Sequence, residues 1–549
     1  MSPLSWANLT SNKSKTTALI NLAGIMERMD EQILPALYNF IGHSFQATPS
    51  QLGTLTLCRA MVQALSSPIG GLSGHYYNRI HVTSIGCVMW GVCTAGFSVC
   101  RSLNEGYLFW AINGIGLSLV IPTGQSLIAD YYQASNRGKA FGALYLTGSL
   151  GGMFGSLYAT NLGSTTVFGW EGWRFVFLSV AAVSVLIGVL NWLQAHDPNY
   201  TQDGSTKLSG AAVLGLRDIW REMKVVMSIP TFLLIIVQGI MGTIPWNALV
   251  FLTLYMQLMG MSDFDASMLM SLFLGATAVG GLLGGWVGDF AASKFPHHGR
   301  IAVTQFSVFT GIPMSWLIIK GLPENGQPAT VALYGWALVT MGVLKTWAAP
   351  ACNNPVFAEI VPPHLRNMIY AFDRCFEGAI AACAAPLVGM LAEKMFGFTG
   401  TATRSGDATV DAAKARALGN ALATFLIVPW TFALIIYTGL HFTYPKDKKA
   451  AMRTAEVLAE SHLQRSSSDS SDRASLREHP DDVELQGLKP PPAAAVTTPT
   501  GSALQGLLVH DVEAQSQAHH AQQGAHISAQ AAVNCSSLHT TWTKLQQQI

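Results

Sequence analysis

Eight ionisable side chains interrupt long apolar runs, and their types and spacing suit proton or anion handling. Glu27, Arg28, Asp30 and Glu31 fall inside the apolar segment at 16–41, Lys345 inside 330–352, and Asp373, Arg374 and Glu377 inside 369–396. At 100° per residue, Glu27 and Glu31 share one helix face a turn apart. Arg28 sits on the flank beside Glu31, and Asp30 lies on the other side of Glu27. Asp373 and Glu377 repeat the four-residue spacing, flanked by Arg374. Crowded carboxylates in an apolar setting take up and release protons, because burial and like charge both favour the neutral acid. An arginine or lysine there either pairs with an acid or meets an anionic substrate. Each ionisable group at a bilayer centre costs about 2.5–3.5 kcal/mol on insertion scales, so all eight must face one another or a watery cavity. Charges paired only to hold two gates together satisfy the same constraint.

The elements that position them are apolar runs. Only 11% of the 549 residues are charged and 50% are hydrophobic, against about 25% charged in soluble proteins. Mean hydropathy is +0.32. Apolar segments fall at 16–41, 52–74, 81–101, 105–129, 140–162, 174–193, 230–258, 266–290, 300–320, 330–352, 369–396 and 417–441. Each is near the roughly 20 residues that a bilayer-spanning helix needs. They run continuously apolar instead of alternating, which argues against a barrel. The expectation is an all-α integral membrane protein with twelve transmembrane helices, in a plasma membrane or an endomembrane. Lys13, Lys15, Arg79, Arg137, Lys139, Arg217, Lys294, Arg300 and Arg366 fall in the amino terminus and the even-numbered connections. That bias places both termini in the cytosol. Lys394, Arg404, Lys414 and Arg416, in the last outer connection, break the pattern.

The domain reading follows from these runs. A cytosolic segment (1–15) precedes a six-helix bundle (16–193). A cytosolic central loop (194–229) carries an amphipathic stretch at 211–228, and a second six-helix bundle follows (230–441). The tail (442–549) is Ser/Asp-, Pro- and Gln/Ala/His-rich, and its composition predicts disorder. Ser466 to Ser471, beside Asp469 and Asp472, read either as a kinase target or as a solvated tether. The eight cysteines form no CxxC pair and mostly sit in apolar runs, as packing thiols do. A net charge of +1 with no large basic block excludes a nucleic-acid partner. No phosphate-binding glycine loop suggests ATP hydrolysis, no histidine spacing suggests a metal, and no cofactor or catalytic residue is expected.

Weaker candidates for a cavity are the polar residues Asn113, Gln125, Gln238 and Asn247, with Trp246 able to stack on a substrate. Interhelical hydrogen bonds and packing account for such residues at least as often. An internal repeat organises the chain. Asp130 is followed seven residues on by Arg137, and Glu359 seven residues on by Arg366. Pro122 and Pro350 precede the two acids at nearly matching offsets. Two six-span halves in parallel repeat are the plan of one transporter architecture.

The loop GGWVGDFAASKFPHHGR, with Asp289 and Arg300, resembles the signature cytoplasmic loop of the major facilitator superfamily. GGLSGHYYNR, with Arg79, is a degraded copy in which Gly74 stands where the acid belongs. Asp130 with Arg137 and Glu359 with Arg366 match the loops that complement these signatures, and together the seven residues would form the cytoplasmic gate. Gly148, Gly151, Gly152 and Gly155 partly match the superfamily's small-residue motif, and close helix packing also explains them. NLAGIMERMDEQILP, IPTFLLIIVQGIMGTIPWNAL and IYAFDRCFEGAIA are similar to the spinster-type branch and its plant and green-algal relatives. The resemblance implies the major facilitator fold over about 16–441. It implies a secondary transporter of a small organic solute, lipid-like or anionic, working by alternating access and coupled to protons. Glu27 with Arg28 matches the family's acid–arginine pair. The arginine common in the fourth span of proton-coupled relatives is Trp110 here, so Arg28, Lys345 or Arg374 would take its role. A solute sensor that signals through the tail, or an uncoupled facilitator, are the alternatives.

Overall fold

A computed structural model describes residues 12–132, 134–198, 224, 226–361 and 366–475. One compact unit holds 1–206 with 222–448, and a second holds 207–221 with 449–549. Within the second, the structure describes only the end of the last helix. The amphipathic stretch at 211–228 lies almost wholly outside the described residues.

The first unit is helical and crosses the bundle twelve times. Span 1 is Asn12–Ala36, continued by Tyr38–Phe45 after a break behind Pro35. Spans 2 to 6 are Pro49–Tyr76, Arg79–Ser98, Leu103–Tyr131, Ala134–Gly163 and Gly172–Gln194. Span 7 is Pro230–Ala248, which passes through a 3-10 turn to Leu252–Leu258. Spans 8 and 9 are Asp263–Lys294 and Gly299–Trp316, the latter ending in a wide turn through Gly321. Span 10 runs Pro328–Lys345, loosens at Ala349–Asn353 around Pro350, and resumes as Asn354–Ile360. Span 11 is Arg366–Ala382 with Ala384–Lys394, and span 12 begins the helix Ala408–Ser475. Nine of these passes are long and apolar enough to cross a membrane. Spans 1, 2 and 5 fall short because they carry the buried charges or many Gly, Ser and Thr residues.

Two local features depart from the sequence reading. The last helix continues past 441 to Ser475, through the Ser466–Ser471 run that was expected to be disordered. Residues 446–465 are rich in Lys, Ala, Arg and Glu, good helix formers once the apolar run ends, and the Ser/Asp run continues the helix they begin. Residues 476–549 lie outside the described residues. Thr166–Val167 pairs with Trp170–Glu171 as a two-stranded hairpin in an otherwise helical fold. Phe168 and Gly169 both take positive φ (50° and 80°) at its tip, as a tight two-residue hairpin turn requires.

Local chemistry explains the helix starts. Thr48 and Gln51 form a capping box ahead of Pro49, and Asn78, Ser102 and Ser262 each accept a hydrogen bond from a first-turn amide. Glycines allow the closest approaches. A Cβ at Gly114 in span 4 would lie 2.5 Å from the Arg59 carbonyl oxygen of span 2, and one at Gly151 in span 5 would collide with the Ile25 carbonyl of span 1. The Gly148–Gly155 series therefore serves helix packing. Spans 1–6 and 7–12 form two halves. They meet through span 2 against span 11 and span 5 against span 8.

Candidate functional site

A cavity of about 1010 Å³ lies between the two halves. Glu27, Arg28, Glu31, Arg59 and Gln125 line it from the first half, and Gln238, Trp246, Asn247, Lys345, Asp373 and Glu377 from the second. Three charges distant in sequence, Glu27, Lys345 and Asp373, thus face one space. Each is buried, with 7%, 3% and 7% of its surface exposed.

The first-half wall is an ion-pair network. Arg28 contacts Glu27 at 3.4 Å and Glu31 at 2.7 Å, as their neighbouring positions on one helix allow. Arg59, from span 2, reaches Asp30 at 3.2 Å and Glu31 at 3.9 Å. Asp30 does not line the cavity. It lies behind the wall, fully buried, and accepts a hydrogen bond from Thr94 Oγ1 at 3.1 Å. Asn113 is also behind the wall, donating to Thr94 at 3.0 Å. A residue three along from Glu27 is rotated 60° from it, which turns Asp30 toward spans 2 and 3. Arg59 also lies over the Trp110 ring, 5.8 Å from its centre. A span-2 cation therefore lies beside the span-4 position that Trp110 fills. Sequence reasoning passed over Arg59, although it is the one charge in the apolar run of span 2.

In the second half, Thr243 Oγ1 donates to Glu377 at 3.4 Å, and Gly239 leaves room for that carboxyl. Asn247 donates to the Thr243 carbonyl, Gln238 to that of Ile235, and Trp246 stacks on Phe273. The Lys345 stem runs over Gly311, where a Cβ would meet its Cδ at 2.5 Å. Its ammonium sits 4.4 Å from the centre of the Trp430 ring. Among the described residues Lys345 has no ion pair. A lysine in mid-bilayer costs about 2.5–3.5 kcal/mol on insertion scales, and a cation–π contact returns about 0.5–2 kcal/mol. The site keeps a residual cost. The Arg374 side chain lies outside the described side chains.

At the end of the bundle near residue 12, each half carries an arginine clasp. Arg79 meets Asp130 at 2.5 Å and grips Asp197 with both Nη2 (2.6 Å) and Nε (3.0 Å). Asp197, just beyond span 6, supplies the acid that the degraded loop lacks at Gly74. Sequence alone offered no signal for it, since an acid before a proline reads as loop. Arg300 meets Asp289 at 2.8 Å and Glu359 at 3.7 Å, and Glu359 also pairs with Lys448 at 2.7 Å. Tyr444 donates its hydroxyl to Glu359 as well. These pairs each stay within one half. The Arg137 and Arg366 side chains lie outside the described side chains.

The opposite end joins the halves. Ser50 donates its amide (2.8 Å) and its hydroxyl (3.0 Å) to Glu393. The Ala402 amide reaches the Ala47 carbonyl at 2.8 Å. Arg404 straps both halves: its amide donates to Asn39 at 3.0 Å, and its guanidinium to the carbonyls of Gln257 (2.7 Å) and Met261. Lys414 donates to the Thr401 and Thr403 carbonyls, and Arg416 pairs with Glu324. Three of the cations that broke the loop-charge pattern are thus structural ties of this end.

Two packed six-helix halves around a polar, membrane-depth cavity are the architecture of a secondary transporter. The chain belongs to the Major Facilitator Superfamily, whose family model matches residues 20–386. It is similar to the fosmidomycin resistance protein of Escherichia coli (strain K12), 24% identical over 54% of this chain and 72% of that protein. The putative glycerol-3-phosphate transporter 3 of Arabidopsis thaliana is 29% identical over 28% of this chain, but only 31% of its own length is covered. Among solved structures, the fold resembles a bacterial homologue of the human lysosomal transporter Spinster in an inward-facing, unoccupied conformation. That match has a TM-score of 0.67 and 20% identity, over 79% of this chain and 98% of that one. A D-xylose–proton symporter matches with a TM-score of 0.58 and 14% identity, over 77% and 97%. At these identities the structural likeness concerns the fold. The chain is an integral multi-pass membrane protein of transporter family and fold.

Proposed function

We propose that this chain is a proton-coupled secondary transporter of a small organic solute, working by alternating access. The observation that carries the reading is the convergence of Glu27, Lys345 and Asp373 on one cavity between the halves. Both termini are cytosolic in this reading. Bonds between the halves at the far end and clasps confined to each half at the terminal end then correspond to a cavity open to the cytosol. Glu27 is the proton carrier: it lines the cavity and has Arg28 at 3.4 Å to stabilise its charged form. Protonation would release Arg28 toward Glu31 alone and change the charge that the solute meets.

The test is flux in proteoliposomes holding a pH-sensitive dye, challenged with a panel of organic solutes. The expected result is solute-driven proton movement in wild type that is lost in E27Q. Uptake by wild type that ignores an imposed pH gradient would overturn coupling and leave an uncoupled facilitator. Binding with no flux would overturn transport and leave a sensor.

A further inference from the structure

We propose that Lys345 anchors an anionic group of the solute, a phosphate or a carboxylate, so that the cargo is an organic anion. The inference deepens the transport reading, and it rests on that reading for treating this cavity as a solute site. Its own ground is the contrast between the cations of the cavity. Arg28 is engaged by Glu27 and Glu31, and Arg59 by Asp30 and Glu31. Lys345 lines the same cavity with 3% of its surface exposed and, among the described residues, no carboxylate partner.

The position is shaped for a lysine. Gly311 in span 9 leaves the space its stem crosses, and the Trp430 face in span 12 supports the ammonium. An aromatic face attracts a cation without neutralising it, so the positive charge still seeks an anion. After Lys345, span 10 leaves the regular helix at Thr346–Trp347 and widens into a π-helical turn at Ala349–Asn353, whose Ala349, Pro350 and Asn353 line the cavity. A lysine kept only for structure would be expected to sit against an acid, because an unpaired buried charge opposes folding. At about 1010 Å³ the cavity matches the upper end of the roughly 300–1,000 Å³ that ligand sites occupy, so an anionic head and a sizeable body both fit.

Binding to the purified full chain tests this, read by tryptophan fluorescence with thermal stability as a second measure. The probes are glycerol 3-phosphate against glycerol, butyrate against butanol, and lysophosphatidate against monoacylglycerol. At least one anionic member is expected to bind, its neutral counterpart not. Preference for the soluble phosphate, the carboxylate or the lysolipid identifies the source of the anion. K345M should weaken the anion about tenfold or more, equivalent to about 1.4 kcal/mol. K345R, which keeps the charge, should weaken it less, and W430F should reduce the fluorescence change while thermal stabilisation persists. Equal binding of neutral and charged members, full affinity in a folded K345M, or no anionic binding at millimolar concentration would each overturn the proposal. Anion binding without flux, weakened in K345M, would keep Lys345 as an anion anchor while overturning the transport reading and with it the cargo; flux of neutral solutes alone would overturn the anchor and keep transport.

Discussion

Arg59 Nη1 donates to Asp30 Oδ2 at 3.2 Å, across 29 positions of sequence, and this bond starts a buried polar chain. Asp30 accepts from Thr94, which accepts from Asn113, so one hydrogen-bonded line ties spans 2, 1, 3 and 4. Removing one partner of a buried pair strands the other. R59M should therefore destabilise the protein by about 3–5 kcal/mol, and the double variant D30N/R59M by clearly less than the sum of the singles. Thermal or denaturant unfolding in detergent measures both. Additive losses would show that the two side chains do not depend on each other.

Asp197 is the acid that Arg79 grips with both Nη2 and Nε. In D197N the Arg79 fork loses its charge-assisted partner but keeps Asp130 and Ser126. The expected loss is about 1–3 kcal/mol, below that of removing Arg79 itself. Equal stability of D197N and wild type would mean that Asp130 suffices.

The Arg404 amide on Asn39 and the Ser50 bonds to Glu393 tie the halves together at the far end. N39A removes the acceptor of the Arg404 amide, and adding E393Q weakens the tie to Ser50. Spin labels at Phe168 and Gln327, one on each half at that end, should report a new, longer distance in the double variant. A distance distribution unchanged from wild type would mean that other contacts govern closure.

Glycine 114 marks a backbone crossing and glycine 281 does not. G114L must displace the Arg59 carbonyl and should cost about 1–3 kcal/mol by overpacking. A Cβ at Gly281 meets nothing within 4 Å, so G281A should stay within about 0.5 kcal/mol of wild type. Unfolding midpoints of the two variants check the contrast.

Glu171, at the hairpin ahead of span 6, carries a pH dependence. Burial alone would raise its carboxyl, but hydrogen bonds from Ser44 and Arg174 outweigh that and hold it below the ordinary 4.5. A lowered value means that the charged form is favoured on folding. Its stabilisation is present above the ordinary value and fades as pH falls through the lowered one. E171Q should flatten this part of the acid side of a stability–pH curve, a small effect because the group is largely solvated. An acid limb identical in E171Q and wild type would count against it.

Local properties of the chain were legible in sequence. Twelve apolar runs of bilayer length, the two-fold repeat and the clustered charges of spans 1, 10 and 11 follow from composition along a continuous segment. The pairing of Arg28 with Glu31 was equally legible, because helix geometry places neighbours three apart side by side. The run of the last helix on to Ser475 was not legible, because apolar content marks the spanning part of a helix and not its polar continuation. What the tertiary structure alone decided is which residues from distant spans meet. It set Arg59 against Asp30, put Asp197 against Arg79, and laid Lys345 over Trp430 with, among the described residues, no ion-pair partner. It turned Asp30 and Asn113 out of the cavity, and it gave Arg404, Lys414 and Arg416 their carbonyl and carboxylate partners. The physical reason is that helix rotation and crossing settle such contacts. A 60° difference in facing separates a cavity residue from a buried one, and only packing of all twelve passes fixes that angle.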